Sequence, residues 1–220
     1  MLVTGGARRV GAAIVRALAA DGWLVFLHYH RSARDAEALA EALEREGGRC
    51  IPVRADLSRI EEASGLVPQC LKHHPHLRCL VNNASVFERD TIGSLSPESW
   101  ASHLGPNLTA PAFLAQAFAA QAVEDADNVI VNMLDQKIRN LNPDHFSYTI
   151  SKLGLFGLTE TLALALAPAI RVCGIAPGIT LPSGEQSAEQ FARAWRATPL
   201  GRSSTTGDIV LALRFILATP

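Results

Sequence analysis

The sequence predicts a single doubly wound α/β domain of the Rossmann type, in which one parallel sheet carries helices on both faces. Short apolar runs alternate with longer helix-like stretches at least six times, and the connections between them are short. Neither a linker, an internal repeat nor a low-complexity tract divides residues 1–220. We therefore expect one domain over 1–220, with its ligand beyond the carboxyl ends of the strands.

Six strand-like runs are apolar almost throughout, as expected for parallel strands that are buried on both faces. They cover residues 2–4, 23–29, 50–53, 77–81, 128–133 and 171–175. The first run is short, and no strand-like run follows the last helix. The final edge strand of such a sheet is therefore expected to be missing.

The helix-like stretches are bounded by residues that start or stop helices. They cover residues 10–20, 33–46, 60–73, 96–122 with an interruption at Pro106, 147–167, 189–197 and 208–217. Glycines after residues 20 and 46 end the first two, and Thr205 or Thr206 is the expected N-cap of the last. The looser segment 177–199 is expected to close over the substrate.

The composition fits a packed globular core, since 48% of the 220 residues are apolar and 19% are charged. It excludes a disordered, collagen-like or coiled-coil chain. A net charge of −1 gives no basic field for nucleic acid. Glu160 and Pro168 interrupt the most apolar stretch, and no secretory signal opens the chain, so no membrane partner and a cytoplasmic location are expected. The four cysteines form no C-x-x-C pair, so no metal site is predicted.

A glycine-rich turn, Thr4-Gly5-Gly6-Ala7-Arg8-Arg9-Val10-Gly11, joins the first strand to the first helix. Glycine lets the backbone turn tightly and approach a diphosphate, and the helix N-terminus offers free N–H groups. Such a turn also occurs as a plain strand-to-helix connection. Its place after the first strand of an α/β pattern favours a dinucleotide site.

The second strand lacks the terminal acid that usually accepts the ribose 2′-hydroxyl of NAD. It reads His28-Tyr29-His30-Arg31-Ser32, and the first acid, Asp35, falls inside the next helix. Arg8 and Arg31 can converge on a 2′-phosphate, so NADP(H) is the expected cofactor, although Arg31 could also be a solvated charge. Asp56, followed by Leu57, can cap the next helix and can bond an adenine amino group, and the two roles are compatible.

Tyr148 and Lys152 share one face at the start of a helix. A lysine cation beside a tyrosine favours the phenolate and lowers the pKa of the phenol. Asp135 follows the fifth strand and points at the same crevice, unless it pairs with Lys137 or Arg139. Asn107 follows Pro106, where a kink could expose a backbone group to water.

Taken together, these motifs resemble the short-chain dehydrogenase/reductase family over essentially the whole chain. The matching residues are the turn from Thr4 and Gly5 to Gly11, then Asp56, Asn82-Asn83-Ala84-Ser85, Asn107, Tyr148 with Lys152, and Pro177-Gly178. The resemblance implies that Tyr148 donates a proton, Lys152 bonds the nicotinamide ribose, Asn107 holds a water, and Asn83 and Ala84 line the cofactor. It also implies a homodimer or homotetramer, through the long helices that carry Asn107 and Tyr148.

Three departures from the usual family pattern resemble its pteridine reductase branch, as does the run 27–32. Arg9 stands where the family usually has glycine, Ser85 ends a motif that usually ends in glycine, and Asp135 replaces the usual catalytic serine. In that branch the Arg9 position contacts pterin and cofactor phosphate, and the Asp135 position works with Tyr148. The Phe87 position stacks on the pterin, although a loop aromatic could also pack on the core.

The expected site is therefore as follows. Cofactor-binding residues are Gly5, Arg8, Arg9, Val10, His28, Tyr29, His30, Arg31, Ser32, Asp56, Leu57, Asn83, Ala84, Ser85, Tyr148, Lys152, Pro177 and Gly178; substrate-binding residues are Arg9, Ser85, Phe87, Asp135 and Tyr148; catalytic residues are Asn107, Asp135, Tyr148 and Lys152.

The carboxylate of Asp135 indicates which chemical class of substrate is reduced. A carboxylate would repel the oxyanion that forms from a ketone, but it suits a substrate rich in N–H donors or a C=N bond whose nitrogen gains a proton. The predicted reaction is hydride transfer from NADPH to a pterin C=N bond, converting dihydropterin to tetrahydropterin, with a proton from Tyr148 and Asp135. Reduction of a ketone or 3-oxoacyl substrate remains an alternative, as does a non-catalytic NADP(H)-binding regulator.

Overall fold

Six parallel strands form one sheet in the order β3-β2-β1-β4-β5-β6. The computed structural model describes residues 1–123, 126–184 and 186–219. The strands are β1 Leu2–Val3, β2 Leu24–Tyr29, β3 Arg49–Arg54, β4 Cys79–Asn82, β5 Asn128–Met133 and β6 Ile170–Ile175. This order confirms the doubly wound fold, and no strand follows β6 in the described part of the chain.

Helices connect the strands and lie on both faces of the sheet. They are α1 Arg9–Ala20, α2 Ala33–Arg45, α3 Ile60–Leu71, α4 Pro97–Leu104, α5 Ala110–Ala119, α6 Phe146–Leu166, α7 Ala188–Arg196 and α8 Thr206–Ala218. One core lies among α1, α2 and α8 and contains Ile14 and Leu39; the other lies against α3 and α5 and contains Leu66 and Phe118. Thr205 is the N-cap of α8, because its hydroxyl accepts a hydrogen bond from the amide of Asp208.

The predicted long helix over 96–122 is divided into three parts. Between α4 and α5 the chain forms a short π-helix, Gly105–Thr109, that contains Pro106. Proline has no amide hydrogen and crowds the preceding turn, so the regular α-helical hydrogen bonding cannot pass through it. The interruption predicted at Pro106 is therefore present, and it places Asn107 inside the π-helical turn.

Helix α6 is, among the described residues, the one helix long and apolar enough to cross a membrane by length and composition. The sequence suggested no such helix, because Glu160 and Pro168 interrupt the stretch 153–170. The helix instead starts earlier, at Phe146, and ends before Pro168. In this fold α6 packs against β6 and buries Tyr148 and Lys152 near its N-terminal end.

Candidate active site

The carboxyl ends of the central strands open into a cleft of about 1120 Å³. The predicted site residues that line it are Gly5, Arg8, Arg9, Val10, His28, His30, Arg31, Asp56, Leu57, Asn83, Ala84, Ser85, Phe87, Asp135, Tyr148 and Gly178. Asn107 and Lys152 are buried close behind this lining.

Besides Lys152, three residues expected at the cofactor do not line the cleft. Tyr29 packs against the core around α1 and α2. Ser32 is the residue before α2, and its side chain caps no amide of that helix. Pro177 turns its carbonyl towards the amide of Gln136, 3.1 Å away. Direct contact of these side chains with a ligand in the cleft is therefore not supported by their placement.

The glycine turn packs directly against the end of β4. Gly5 has a φ of +61°, and a Cβ there would lie 2.9 Å from Cα of Ala84. A Cβ at Gly11 would collide with the carbonyl oxygen of Gly5 and the amide of Asn83. Only glycine fits both positions, which leaves the N-terminus of α1 open towards the cleft. This cradle suits the diphosphate of a dinucleotide.

His28 braces this turn from β2. The amide of Gly5 donates to Nδ1 of His28 at 3.0 Å, and Nε2 lies 3.1 Å from the carbonyl oxygen of Ala55. Because an amide can only donate, Nδ1 is the acceptor and Nε2 carries the hydrogen. Burial lowers the pKa of His28 to about 4. A neutral ring therefore ties together the turns that follow β1 and β3.

Arg8, which was expected to bind a 2′-phosphate, forms an ion pair with Asp35. Both Nε and Nη2 donate to Oδ2 of Asp35, at 2.8 and 2.6 Å. Asp35 lies inside α2, as expected, and its place in the first turn brings it within reach of the glycine turn. Arg31 is exposed and lines the cleft. An exposed pair such as Arg8–Asp35 is worth about 0–1 kcal/mol, so an anionic ligand can compete for Arg8.

Asp56 does not cap α3. Its Oδ1 accepts hydrogen bonds from the amide and the hydroxyl of Ser58, whereas the N-cap of α3 is Arg59. Asp56 therefore closes the turn that follows β3 and still lines the cleft. Of the two roles suggested by the sequence, helix capping is wrong.

Tyr148 and Asp135 meet at the floor of the cleft. The hydroxyl of Tyr148 donates to Oδ2 of Asp135 at 2.7 Å, while Oδ1 accepts from the amide of Lys137 at 2.8 Å. No ion pair from Asp135 to Lys137 or Arg139 occurs among the described contacts. Burial raises the pKa of Tyr148 well above its ordinary value, and the Asp135 carboxylate raises it further. Tyr148 is thus a protonated donor, which corrects the expectation that Lys152 lowers its pKa.

Lys152 lies behind Tyr148, one turn further along α6. Its ammonium group donates to the carbonyl oxygen of Met133 at 2.7 Å and lies 5.7 Å from the centre of the Tyr148 ring. The residue is 3% exposed, and burial lowers the pKa of its ammonium group to about 8. Lys152 therefore places a titratable cation beside the proton donor.

Asn107 ties the loop after β4 to α6. Its Oδ1 accepts from the amide of Val86 at 2.8 Å, and its Nδ2 donates to the carbonyl oxygen of Val86 and to the hydroxyl of Ser151. The side chain is 1% exposed. The kink at Pro106 was expected to open a backbone group to water; the side chain of Asn107 instead bridges two segments of the site.

Phe87 stands at the rim of the cleft and does not pack into the core, since it is 39% exposed. Its ring stacks on His145 with centroids 4.1 Å apart, and it meets the Tyr148 ring edge-on at 4.6 Å. Packing on the core, the alternative suggested by the sequence, is therefore wrong. The exposed part of Phe87 offers an aromatic surface next to the phenol.

Arg9 joins the glycine turn to the segment after β6. Its Nη2 donates to the carbonyl oxygen of Pro182 at 2.7 Å. Thr180 and Leu181 of the same segment line the cleft. The backbone of Arg9 has a φ of +54°, which explains why a glycine is easier to accommodate at this position.

Residues 1–192 match the family model described as short chain dehydrogenase. The chain belongs to the short-chain dehydrogenase family. It is 34% identical over 258 residues to pteridine reductase 1 of Leishmania tarentolae, covering 100% of this chain and 89% of that protein. A 3-oxoacyl-[acyl-carrier-protein] reductase of Synechocystis sp. is 28% identical, with 100% and 89% covered. The expectation of a short-chain oxidoreductase is confirmed.

Solved structures similar to this short-chain dehydrogenase include FolM alternative dihydrofolate reductase 1 from two Brucella species, each in complex with NADP. The Brucella canis protein has a TM-score of 0.93 at 43% identity, covering 97% of this chain and 85% of that one. The Brucella suis protein has a TM-score of 0.95 at 43% identity, covering 99% and 87%. The resemblance to the pteridine reductase branch is confirmed by these relatives.

Sequence reasoning missed several residues around the site of this short-chain dehydrogenase. His145 stacks on Phe87, and Asp90, His103 and Ser147 form a buried polar cluster beneath it. The Ser147 position, directly before Tyr148, was the available signal. Asp90 and His103 lie in segments without a motif, so their meeting depends on the folded backbone.

Proposed function

We propose that this short-chain dehydrogenase is an NADPH-dependent pterin reductase that reduces a C=N bond of a dihydropterin to give a tetrahydropterin. The observation that carries the proposal is the hydrogen bond from Tyr148 to Asp135, at the floor of a cleft rimmed by Phe87. A carboxylate beside the proton donor suits a nitrogen heterocycle, whose N–H groups can donate to it. It would oppose the negative oxygen that develops when a ketone is reduced.

Tyr148 is the proton donor in this mechanism. Burial and Asp135 hold its pKa high, so the phenol keeps its hydrogen until a substrate nitrogen competes for it. When bound, NADPH supplies the hydride. Asp135 accepts the hydrogen of a substrate N–H group and orients the ring, while Lys152 places its positive charge behind Tyr148 as the proton leaves.

The walls of the cleft suit a flat, aromatic substrate. Phe87 presents a partly exposed ring whose edge-on contact with Tyr148 fixes its position relative to the phenol. Stacking on an aromatic side chain contributes about 1–3 kcal/mol for a nucleobase, and a pterin is a ring system of similar size. Ser85 and Arg9 also line the cleft and offer polar groups to the heterocycle.

The cofactor is NADP(H). The cradle formed by Gly5 and Gly11 accepts the diphosphate, and Arg31, with Arg8 beside it, offers guanidinium groups for the 2′-phosphate. The Brucella relatives carry NADP in their crystal structures, which supports the same choice here. Segment 177–199 closes over the substrate, starting from the contact between Arg9 and Pro182.

Reduction of a ketone or 3-oxoacyl thioester is the second candidate, favoured by the similarity to 3-oxoacyl reductases. Asp135 argues against this reaction, because its carboxylate would repel the negative oxygen that forms when a ketone is reduced. A non-catalytic NADP(H)-binding regulator would have no use for a proton donor held between Asp135 and Lys152. We therefore place pterin reduction first.

The test measures NADPH oxidation with dihydrobiopterin, dihydromonapterin, dihydrofolate and a 3-oxoacyl thioester. We expect turnover of a dihydropterin, and we expect Asp135→Ser to lower it by about 10²-fold or more while ketone reduction is retained or raised. Asp144→Ser is the matched control, because Asp144 is an exposed acid at the rim that pairs with Arg89. Ketone turnover without pterin turnover in the wild-type protein would reject the proposal.

We further propose that the protein forms a homodimer or homotetramer and is located in the cytoplasm. The apolar helix α6 leaves Leu164 84% exposed in the single chain, and a second copy would cover that face. The four cysteines are free, which suits a reducing compartment. Light scattering coupled to size-exclusion chromatography tests the first proposal, and Leu164→Glu should shift the mass towards the monomer.

A further inference from the structure

A buried chain of hydrogen bonds connects the loop that carries Phe87 with the first turn of α6. The amide of Glu88 donates to Nε2 of His103 at 3.0 Å, Nδ1 of His103 lies 2.7 Å from the hydroxyl of Ser147, and that hydroxyl donates to the Asp90 carboxylate. Asp90 is 4% exposed, and His103 and Ser147 are fully buried. None of these three side chains reaches the cleft or belongs to the proposed chemistry.

The donor and acceptor roles in this hydrogen-bond network are fixed at both of its ends. The Glu88 amide can only donate, so Nε2 of His103 is an acceptor and Nδ1 carries the hydrogen. The Asp90 carboxylate can only accept, so the Ser147 hydroxyl donates to it. Nδ1 of His103 is then the donor towards that hydroxyl and towards the carbonyl oxygen of Ser99, which lies 2.9 Å away. Each member therefore has one consistent role, which makes the relative position of the two segments well defined.

Asp90 also replaces the missing cap of α6. The N-cap residue, His145, makes no side-chain cap. Instead the amide of Ser147 donates to Oδ1 of Asp90 at 3.1 Å, and the amide of Phe146 donates to the Asp90 carbonyl oxygen at 3.2 Å. Within the described residues no lysine or arginine pairs with Asp90. The helix N-terminus and these hydrogen bonds are what stabilise the buried carboxylate.

The two ends of the network adjoin the two rings of the site. Phe87 precedes Glu88, and Tyr148 follows Ser147, while their rings meet edge-on at 4.6 Å. His145 adds a surface contact, since its Nδ1 lies 2.9 Å from the carbonyl oxygen of Glu88. A shift of either segment would change the separation of Phe87 from the phenol that donates the proton.

We propose that Asp90, His103 and Ser147 are positioning residues that set the distance between Phe87 and Tyr148, and so the width of the slot that admits a flat heterocycle. This rests on the proposed function, because it assigns Phe87 to the substrate ring. The network acts through Phe87 and Tyr148 and does not touch the substrate. Its loss should weaken substrate binding far more than cofactor binding, because the glycine turn that holds the cofactor is separate from it.

The first experiment needs no substrate. Hydrogen–deuterium exchange is measured on the wild-type protein, Asp90→Ala, Ser147→Ala and the control Glu44→Ala, which removes an exposed acid of α2, away from both segments. We expect exchange in residues 86–91 and in the first turn of α6 to rise by about tenfold in the first two variants, and to stay unchanged in the control. Unchanged exchange in both network variants overturns the inference. If Asp90→Ala does not fold, Ser147→Ala decides alone.

The second experiment is a double-mutant cycle on the KM for dihydrobiopterin. We expect Asp90→Ala to raise this KM about tenfold, with the Kd for NADPH within about twofold of wild type. Asp90→Asn, which keeps one of the two accepting oxygens, should raise the KM less than Asp90→Ala does. In a Phe87→Ala background the effect of Asp90→Ala on KM should fall below about twofold. An effect of equal size in both backgrounds, or a fall in kcat alone, overturns the inference. Wild-type protein that turns over no dihydropterin rejects the proposed function, and the exchange experiment then decides the positioning role by itself.

Discussion

The buried His28 ring makes the stability of this protein depend on pH in a way that can be measured. In its neutral form His28 accepts from the amide of Gly5 and donates to the carbonyl oxygen of Ala55. Protonation would place a second hydrogen on Nδ1, directed at an amide that can only donate. The protonated form is therefore incompatible with the glycine turn as it is built.

The magnitude follows from the shift in pKa. Burial lowers the pKa of His28 from 6.5 to about 4 in the folded protein. Because the unfolded chain takes up the proton first as the pH falls, stability is complete above pH ~6.5 and is lost progressively towards pH ~4. At about 1.36 kcal/mol per pKa unit the full loss is about 3 kcal/mol, of which about 2 kcal/mol is already lost at pH ~5.

The assay compares free energies of unfolding in urea at pH 7 and pH 5 for the wild type and His28→Asn. The variant should be less stable at pH 7, because it leaves the Gly5 amide and the Ala55 carbonyl unpaired, but its stability should change between the two pH values by about 2 kcal/mol less than that of the wild type. His76→Asn, in an exposed loop, is the matched control and should behave as wild type. An identical pH dependence in wild type and His28→Asn would refute the reasoning.

Three further predictions concern catalysis and cofactor choice. Tyr148→Phe should lower kcat by about 10²–10⁴-fold while NADPH binding, followed by fluorescence, is unchanged; retained turnover would exclude Tyr148 as the donor. Burial lowers the pKa of Lys152 to about 8, so kcat/KM should decline above that pH. Lys152→Arg should move this decline to higher pH. If the alkaline side of the pH profile does not move, the role of Lys152 is contradicted. Arg31→Ala should raise the KM for NADPH about tenfold and leave the KM for NADH unchanged. Asp35→Ala should lower the KM for NADPH, because it releases Arg8. Equal effects on the KM of both cofactors would show that neither Arg31 nor Arg8 binds the 2′-phosphate.

The sheet could be predicted from the sequence because its central strands β1, β4 and β5 are buried on both faces. The run Asn128–Met133 was predicted with the boundaries that the structure has, since every residue in it is buried. The glycine turn could be predicted as well. The backbone at Gly5 lies so close to Ala84, and that at Gly11 so close to the Gly5 carbonyl oxygen, that no other residue type fits. These features depend on local periodicity and sterics, which the sequence contains directly.

The partners of long or buried polar side chains could not be predicted in the same way. Arg8 finds Asp35, and Asn107 bonds both backbone groups of Val86, because the folded backbone brings these segments together. Tyr148 with Asp135 was anticipated from their places after β5 and at the start of α6. The direction of the shift in the pKa of Tyr148 was not, since burial outweighs the neighbouring lysine and burial is a property of the whole fold.

Backbone strain marks the two sides of the cleft. Arg9 and His145 are the non-glycine residues with positive φ in the described part of the chain, at +54° and +55°, and both line the cleft. A left-handed conformation costs a residue with a side chain about 1–2 kcal/mol, so glycine would be more stable at either place unless the side chain is needed. Both side chains make contacts that glycine cannot, Arg9 with the Pro182 carbonyl oxygen and His145 with Phe87 and the Glu88 carbonyl oxygen. The strain is thus located where side chains hold the segments that line the cleft in place, which favours a functional cause for it.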